Sequence, residues 1–194
     1  MLREVESQPR DRIIDTALRL FYEQGYLATG INQIIAESQV AKATFYSHFS
    51  SKENLCLAYL QVRHIIWMKW LEDSVDRHKS IEGRIIGVFG FLKEWMVKCN
   101  FRGCAFLNIA SEIPSLNSKI RAEVVKHKDD LKLYLKQMIS QLKDSDKRYK
   151  NIDIDKEVDM VYVLVEGAIV ASQNYGQVWP IQTAEDMVRK LLNI

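Results

Sequence analysis

The sequence predicts an all-α protein. Only 8 glycines and 3 prolines occur among the 194 residues, so turn-forming residues interrupt the chain rarely. Apolar residues recur three and four positions apart along most of the chain, whereas the alternation that is typical of strands is hard to find. Hydrophobic residues make up 47% and charged residues 27%, an ordinary composition for a globular protein. We expect about nine helices.

The first predicted helix covers residues 8–24. Ser7 is suited to cap it, and Pro9 is tolerated in its first turn, where a backbone N–H has no intrahelical partner. Gly25 can adopt the left-handed conformation that commonly follows a helix. Both ends of this helix therefore carry recognisable signals.

Two short helices around a tight turn follow. Helix two begins near Gly30 and helix three at Lys42, with a break at residues 39–41 between them. Phe45 and Phe49 share one face of helix three, so its polar side chains point elsewhere. This arrangement is the geometry of a helix-turn-helix.

A long fourth helix connects two domains. Ser50 and Glu53 form a predicted capping box that starts it, and we expect it to cover residues 51–78. Its first part can pack on the first three helices, whereas the aromatic residues that follow require a second core. We therefore predict two domains, residues 1–60 and 61–194.

Five further helices are predicted in the second domain. They cover residues 80–98, 104–112, 115–143, 155–175 and 180–192. Gly83, Gly87 and Gly90 lie roughly on one side of helix five, where either close packing against another helix or a ligand could fill the space, and we favour the packing. Helix eight is apolar on more than one face and carries the small residues Gly167 and Ala168, so it needs partners on more than one side.

Charge alone does not indicate a partner. The net charge is +2, and the first sixty residues contain six basic and seven acidic side chains, so DNA binding would depend on where the charges lie. The chain has no run of eighteen apolar residues and its N-terminus is polar, so we expect a cytoplasmic protein without a membrane partner or a signal peptide.

Catalytic and metal-binding patterns are missing from the sequence. The three cysteines lack a CxxC spacing, which argues against a disulfide framework, and the four histidines lack metal-ligand spacing. No nucleophile–base motif or phosphate-binding loop is present. We expect neither an enzyme nor a bound metal or cofactor.

The pattern of residues in the first quarter of the chain resembles that of the tetracycline-repressor (TetR) family of transcription regulators. The matching residues are Ala17, Leu20, Phe21, Gly25, Tyr26, Thr29, Ile34, Ala36, Val40, Lys42, Thr44, Phe45, Tyr46, His48, Phe49, Ser51, Lys52 and Glu53. Downstream, RGCAFLNIASE (102–112) resembles the segment that opens helix six in this family, and VEGAIVASQNYG (165–176) resembles its dimerisation helix.

Two positions depart from the family pattern. The turn usually has glycine where this chain has Gln39, a position that is expected to need a positive φ and therefore to carry modest strain. The recognition helix is usually capped by serine where this chain has Ala41, which forgoes a cap worth about 1 kcal/mol.

The resemblance implies that residues 42–49 are a recognition helix in the DNA major groove. The candidate DNA-binding residues are Thr29, Lys42, Ala43, Thr44, Tyr46, Ser47, His48 and Lys52. Thr29 and Lys52 would hold flanking phosphates, and Tyr46 would offer its phenol to a phosphate. Because the helix has no arginine, any strong guanine contact would fall to Lys42.

The resemblance also implies that the second domain binds an effector and forms a homodimer. The candidate ligand-binding residues are Trp67, Trp70, Phe89, Trp95, Cys104, Phe106, Asn108, Tyr134, Met138 and Tyr162. The candidate dimerisation residues are Val161, Leu164, Gly167, Ala168, Ala171, Met187 and Leu191. Aromatic residues at helical spacing are also typical of a core, so each ligand-binding candidate has that second interpretation. Cys104 has two interpretations as well, a buried apolar residue or a sensor of oxidants or electrophiles.

Together these features predict a homodimeric, ligand-responsive repressor. It would bind a palindromic, double-stranded DNA operator and be released by a small apolar or aromatic effector. The alternative is an all-helical small-molecule-binding protein or enzyme in which the N-terminal helices are only structural.

Overall fold

The computed structural model describes residues 8–194, and this part of the chain is helical with connecting turns. Its nine α-helices are α1 Pro9–Glu23, α2 Ile31–Glu37, α3 Lys42–His48, α4 Lys52–Val75, α5 Ile81–Lys98, α6 Ala105–Glu112, α7 Lys119–Ser145, α8 Ile154–Tyr175 and α9 Trp179–Leu192, and a 3-10 turn covers Lys147–Tyr149. The predicted all-α class with about nine helices is confirmed. The predicted cap Ser7 lies outside the described residues. None of the described helices is long and apolar enough to cross a membrane.

The start of α4 differs from its prediction. The N–H of Asn54 donates to Ser51 Oγ at 3.1 Å, so Ser51 caps the helix. The Ser50 hydroxyl instead accepts from the Asn54 side-chain amide at 2.6 Å. The capping box predicted from Ser50 and Glu53 is therefore wrong by one residue, because two consecutive serines offer the same local signal.

The end of α4 also differs. The helix stops at Val75 rather than at residue 78, and His78 lies in the turn that leads to α5. A Cβ added at Gly87 would lie 2.7 Å from His78 Cδ2, so the imidazole occupies the space beside that glycine. A side chain from the preceding turn, rather than another helix, therefore fills the space at Gly87, whereas Gly90 faces open space.

The chain forms two compact units. Within the described part of the chain, the first combines residues 8–64 with 105–124, and the second combines residues 65–104 with 125–194. The units divide α4 between His64 and Ile65, and the domain boundary near residue 60 stays a prediction. The chain therefore returns to the first unit through α6 and the start of α7.

A small aromatic and aliphatic core organises the first unit. In α1, Ile13, Ala17 and Leu20 are fully buried, and α1 packs against both α2 and α3. The ring of Phe21 meets Tyr59 of α4 edge-on, with the centroids 5.4 Å apart. α3 therefore packs on this core with one face, and its other faces are exposed.

The second unit is built around α8, α9 and α5. α8 packs along α9, and α5 packs against both. On α9 the carboxylate of Glu185 is buried, and it accepts from Lys93 Nζ at 3.0 Å and from Arg189 at 2.8 Å. Burial opposes ionisation of Glu185, but these hydrogen bonds hold its pKa below the usual value. The buried charge is therefore compensated within the unit.

Candidate nucleic-acid interface

The exposed faces of α3 carry most of the predicted DNA contacts. The predicted residues of this helix are exposed at Lys42, Ala43, Tyr46, Ser47 and His48, and Thr44 is half-buried. Phe45 is fully buried, and the Tyr46 ring stands edge-on to it with the centroids 5.2 Å apart. The core side of the helix thus fixes the direction of the tyrosine. No residue of α3 is acidic, so this edge can approach phosphates without like-charge repulsion.

The turn before α3 has the strain that the sequence predicts. Gln39 has φ 54°, and Ala41 caps α3 without a side-chain hydrogen bond. The Gln39 N–H bonds to Ala36 O at 3.2 Å and the Val40 N–H bonds to Ile35 O at 3.4 Å, which together form a Schellman motif. The position is one where glycine is favoured, because only glycine adopts this φ without a steric cost.

Arg12 supports this turn from α1. Its Nε donates to Ser38 O at 3.2 Å, and a terminal nitrogen lies 3.4 Å from Gln39 O. These carbonyls belong to the end of α2, where backbone acceptors lack intrahelical partners. Arg12 was not among the predicted site residues, because nothing local in the sequence links it to a turn 26 residues away.

Thr29 has a different place from the one predicted. It is fully buried, and its hydroxyl donates to Gly25 O at 2.7 Å. Its side chain therefore stabilises the connection between α1 and α2, and any phosphate contact at this position would have to come from the main chain. This corrects the prediction that the Thr29 side chain holds a phosphate.

Lys52 lies in the first turn of α4 against the α1–α2 connection. Its Nζ is 3.4 Å from Leu27 O and 4.5 Å from the centroid of the Tyr26 ring. Partial burial lowers the pKa of Lys52, although the nearby carboxylate of Glu112 acts in the opposite direction. Glu112 itself accepts from the backbone N–H groups of Tyr26 at 3.1 Å and Leu27 at 2.6 Å. Glu112 was also not predicted, because it lies more than eighty residues along the chain.

Two acidic side chains of the first unit lie close to Arg19. Its guanidinium forms an ion pair with Glu37 and lies 3.8 Å from Glu23. The hydrogen bond from Arg19 lowers the pKa of Glu37. Arg19 thus partly compensates the charge of these two carboxylates.

The predicted ligand-binding residues are only partly brought together. Trp70 and Trp95 line an open cleft of about 210 Å³ between α4 and α5, together with Asp73, Ser74, Arg77, Phe91, Glu94 and Lys98. The Lys98 ammonium lies 4.9 Å from the Trp70 ring centroid, which places a cation over one aromatic wall. The cleft is amphipathic, with two indoles and charges of both signs.

The other ligand-binding candidates lie mainly in the cores of the two units. The buried candidates are Trp67, Phe89, Cys104, Phe106 and Met138, and the half-buried ones are Asn108, Tyr134 and Tyr162. Trp67 packs edge-on against the rings of Phe91, Trp95 and His127. Phe106 and Asn108 belong to the first unit. Of the ten candidates, Trp70 and Trp95 line the cleft between α4 and α5, and the role of the others in ligand binding stays a prediction.

Cys104 is buried beside an ion pair. Lys128 Nζ lies 3.6 Å from Cys104 Sγ and 2.8 Å from Glu166 Oε1. Burial opposes the charge on Lys128, but Cys104 and Glu166 raise its pKa above the usual value. Only 5% of Cys104 is exposed, so the apolar interpretation of this residue has the stronger structural support.

α8 and α9 present an apolar surface to solvent. Met160, Val163 and Val170 of α8 and Trp179 and Met187 of α9 are large apolar residues with 40% or more of their surface exposed. Grooves on this surface are lined by Leu164, Gly167, Ala168, Ala171, Met187 and Leu191, which were predicted to form a dimer interface. Val161 is 1% exposed and belongs to the core of the unit, so it is not available to a partner.

Comparison with known proteins extends these observations over the chain. Residues 13–59 match the family described as bacterial regulatory proteins, tetR family. Residues 82–188 match the family described as tetracyclin repressor-like, C-terminal domain. The two matches lie on either side of the middle of α4, and the second alone covers more than half of the chain.

Individual relatives are similar over much of their length. An HTH-type transcriptional regulator from the lacX 3' region of Lactococcus lactis is 27% identical over 135 residues, which are 69% of each chain. IcaR of Staphylococcus epidermidis, a negative regulator of the biofilm operon icaADBC, is 23% identical over 191 residues, 95% of this chain and 97% of IcaR. Several other curated relatives are matched over less than half of their length. The crystal structure of SCO4454, a TetR-family regulator from Streptomyces coelicolor, superposes with a TM-score of 0.84 at 28% identity, covering 95% of this chain and 94% of SCO4454.

Proposed function

Because the chain belongs to the TetR family of bacterial transcriptional regulators, we propose that it acts as a homodimeric repressor of a palindromic operator, from which a small effector releases it. It is a DNA-binding regulator and not an enzyme, and the alternative of a small-molecule-binding protein without DNA binding is not favoured. Repression is supported by the similarity of the chain to IcaR, a negative transcriptional regulator. The protein would bind its operator in the cytoplasm.

The observation that carries DNA binding is the exposed edge of α3. Lys42 and Tyr46 are exposed on a helix whose other side is anchored by the buried Phe45. A short helix held in this way can enter a major groove about 12 Å wide with its side chains toward the bases and the phosphates. Lys52 would contact a flanking phosphate from the first turn of α4, where helix N–H groups also favour an anion.

The proposed dimer uses the apolar surface of α8 and α9. Two copies of a helix pair related by a two-fold axis can cover the same patch on each other. Gly167 and Ala171 line a groove on this surface, and their small side chains permit close approach of a helix from the partner. Helix-turn-helix dimers bind half-sites about 34 Å apart, one turn of DNA, so a two-fold symmetric dimer is suited to a palindromic operator.

The proposed effector is small and apolar or aromatic. The cleft lined by Trp70 and Trp95 holds about 210 Å³, which is below the roughly 300–1,000 Å³ of sites for drug-sized ligands. Release requires the effector to bind more tightly to a state in which the two α3 helices no longer match adjacent grooves. α4 contributes residues to both units, so it is the element through which we propose that this change is transmitted.

Electrophoretic mobility shift with DNA from upstream of the chain's own gene tests the function. Wild-type protein is expected to bind a palindromic fragment at low salt, and Lys42→Ala and Tyr46→Phe are expected to weaken binding about tenfold. Lys126→Ala, which removes the same charge from an exposed position on α7, is the matched control. If the wild-type protein shows no preference for any palindromic fragment at low salt, the proposed function is refuted.

A further inference from the structure

Glu112, the last residue of α6, places its carboxylate on the connection between α1 and α2. Oε1 accepts from the Tyr26 N–H at 3.1 Å, and Oε2 accepts from the Leu27 N–H at 2.6 Å. Each oxygen thus holds a different backbone group, and both bonds are charge-assisted. A side chain from far along the chain thereby fixes two consecutive residues of a loop.

Gly25 makes this approach possible. A Cβ added at Gly25 would lie 2.9 Å from Glu112 Oε1, closer than such contacts allow, and the residue has φ 98°. The glycine that ends α1 therefore also leaves room for the carboxylate. Any larger residue would have to displace Glu112 or strain the backbone.

The end of α6 is itself held firmly. A terminal nitrogen of Arg121, in the first turn of α7, donates to Ala110 O at 2.9 Å and to Ile113 O at 3.1 Å. These carbonyls belong to the C-terminal end of α6, where backbone acceptors need partners. The helix end that carries Glu112 is thus capped within the same compact unit.

The loop that Glu112 holds is the surface on which Lys52 rests. Lys52 Nζ is 3.4 Å from the carbonyl of Leu27 and 4.5 Å from the ring centroid of Tyr26. The two residues whose N–H groups bind Glu112 are therefore the two residues that position the Lys52 ammonium. A series of contacts therefore connects Glu112, through Tyr26 and Leu27, to Lys52, the side chain that is predicted to bind a DNA phosphate.

We propose that Glu112 is a positioning residue for operator binding: it orders the α1–α2 connection so that Lys52 is held ready for a DNA phosphate. This inference rests on the proposed function. It makes α6, a helix far from the recognition helix in sequence, a part of the DNA-reading unit. It also gives a role to an acidic side chain that lies near a cation proposed to bind phosphate, where its charge by itself opposes DNA binding.

Two substitutions separate position from charge. Glu112→Gln removes a negative charge, so electrostatics alone predicts equal or tighter operator binding. The amide has only one acceptor oxygen, however, and its NH₂ would face a backbone N–H, so we expect binding about tenfold weaker. Glu112→Asp keeps the charge but is one methylene shorter, so it is expected to weaken binding as well. Glu53→Gln, in the first turn of α4, is the matched control and should leave affinity unchanged or raised.

A double-mutant cycle with Lys52→Ala tests whether Glu112 acts through Lys52. Lys52→Ala is expected to lower the slope of log affinity against log salt by about 0.9, the value for one phosphate contact. Glu112→Gln should lower the slope similarly, and adding Lys52→Ala to it should then cost little. Thermal unfolding followed by circular dichroism confirms that each variant used is folded.

The outcomes distinguish this inference from the function on which it rests. Binding by Glu112→Gln and Glu112→Asp equal to wild type would overturn the inference and leave the function intact. Weaker binding with an unchanged salt slope, and a full cost of Lys52→Ala in both backgrounds, would also overturn it, since Glu112 would then act only on the general fold. Absence of operator binding by the wild-type protein would refute the function itself, and the inference with it.

Discussion

Replacing Gln39 with glycine is expected to stabilise the protein, because this residue occupies a left-handed conformation in the turn before α3. Its φ is 54°, and it holds the position after the α2 cap in a Schellman motif. A residue with a Cβ loses roughly 1–2 kcal/mol in this conformation. Glycine gains more freedom in the unfolded chain, which takes back about 0.5–1 kcal/mol. The difference between these two ranges is about 0–1.5 kcal/mol, so the expected net gain is about 0.75 kcal/mol.

Gln24→Gly is the matched control for this prediction. Gln24 follows α1 with φ −101°, in the right-handed region, so the same substitution relieves no strain there. Only the unfolded-state effect remains, and the variant is expected to lose about 0.5–1 kcal/mol. The two substitutions have the same chemistry and opposite predicted signs.

Urea denaturation followed by far-ultraviolet circular dichroism measures both changes. For a chain of this size, a change of 1 kcal/mol corresponds to a shift of about 2–4 °C in the unfolding midpoint, so thermal unfolding provides a second reading. A loss of stability in both variants would refute the reasoning, because it would show that the turn carries no strain from Gln39. An equal slope of free energy against urea in all variants is required for the comparison.

Two further predictions concern buried titratable groups. Glu185→Gln is expected to destabilise the protein by about 1–3 kcal/mol at pH 7, since the carboxylate is buried and bound to two basic side chains. The folded pKa of Glu185 is lowered, so its contribution to stability is present above the unfolded value near 4.3 and is lost as the pH falls through the folded pKa. The urea midpoints of the wild-type protein and the variant should therefore converge at acid pH. A difference between the two midpoints that stays constant with pH would contradict the role given to the ionised carboxylate. Burial, assisted by nearby carboxylates, raises the pKa of Cys56 to about 12, so iodoacetamide at pH 8 should label the half-buried Cys99 first. Peptide mass spectrometry checks this order, with Cys99→Ser as the control. Faster labelling of Cys56 than of Cys99 would contradict the buried position of the Cys56 thiol.

Local features of the structure could be predicted from the sequence. The positive φ of Gln39 and of Gly25 and the uncapped start of α3 at Ala41 all occur as expected. Each depends on a residue and its immediate neighbours, whose steric limits are the same in any fold. The direction of Phe45 into the core likewise follows from helical spacing.

Predictions that depended on which side chains are buried in the folded chain were less accurate. Thr29 was expected to face a phosphate, but the end of α1 takes up its hydroxyl. Val161 was expected at a dimer surface, but it lies in the core of its own unit. Periodicity identifies an apolar face, but it does not distinguish a face covered by the same chain from one that is left for a partner.

The sequence by itself determined the class, the order of the helices and the helix that is proposed to read DNA, because these follow from propensity, spacing and matching motifs. Only the tertiary structure showed that Arg12 supports the turn and that Glu112 holds the loop beneath Lys52. Both are charged side chains with no local signal of their role, and Glu112 meets Tyr26 across 86 positions of the chain. Such contacts arise from packing, which brings a carboxylate to the two backbone N–H groups that it binds.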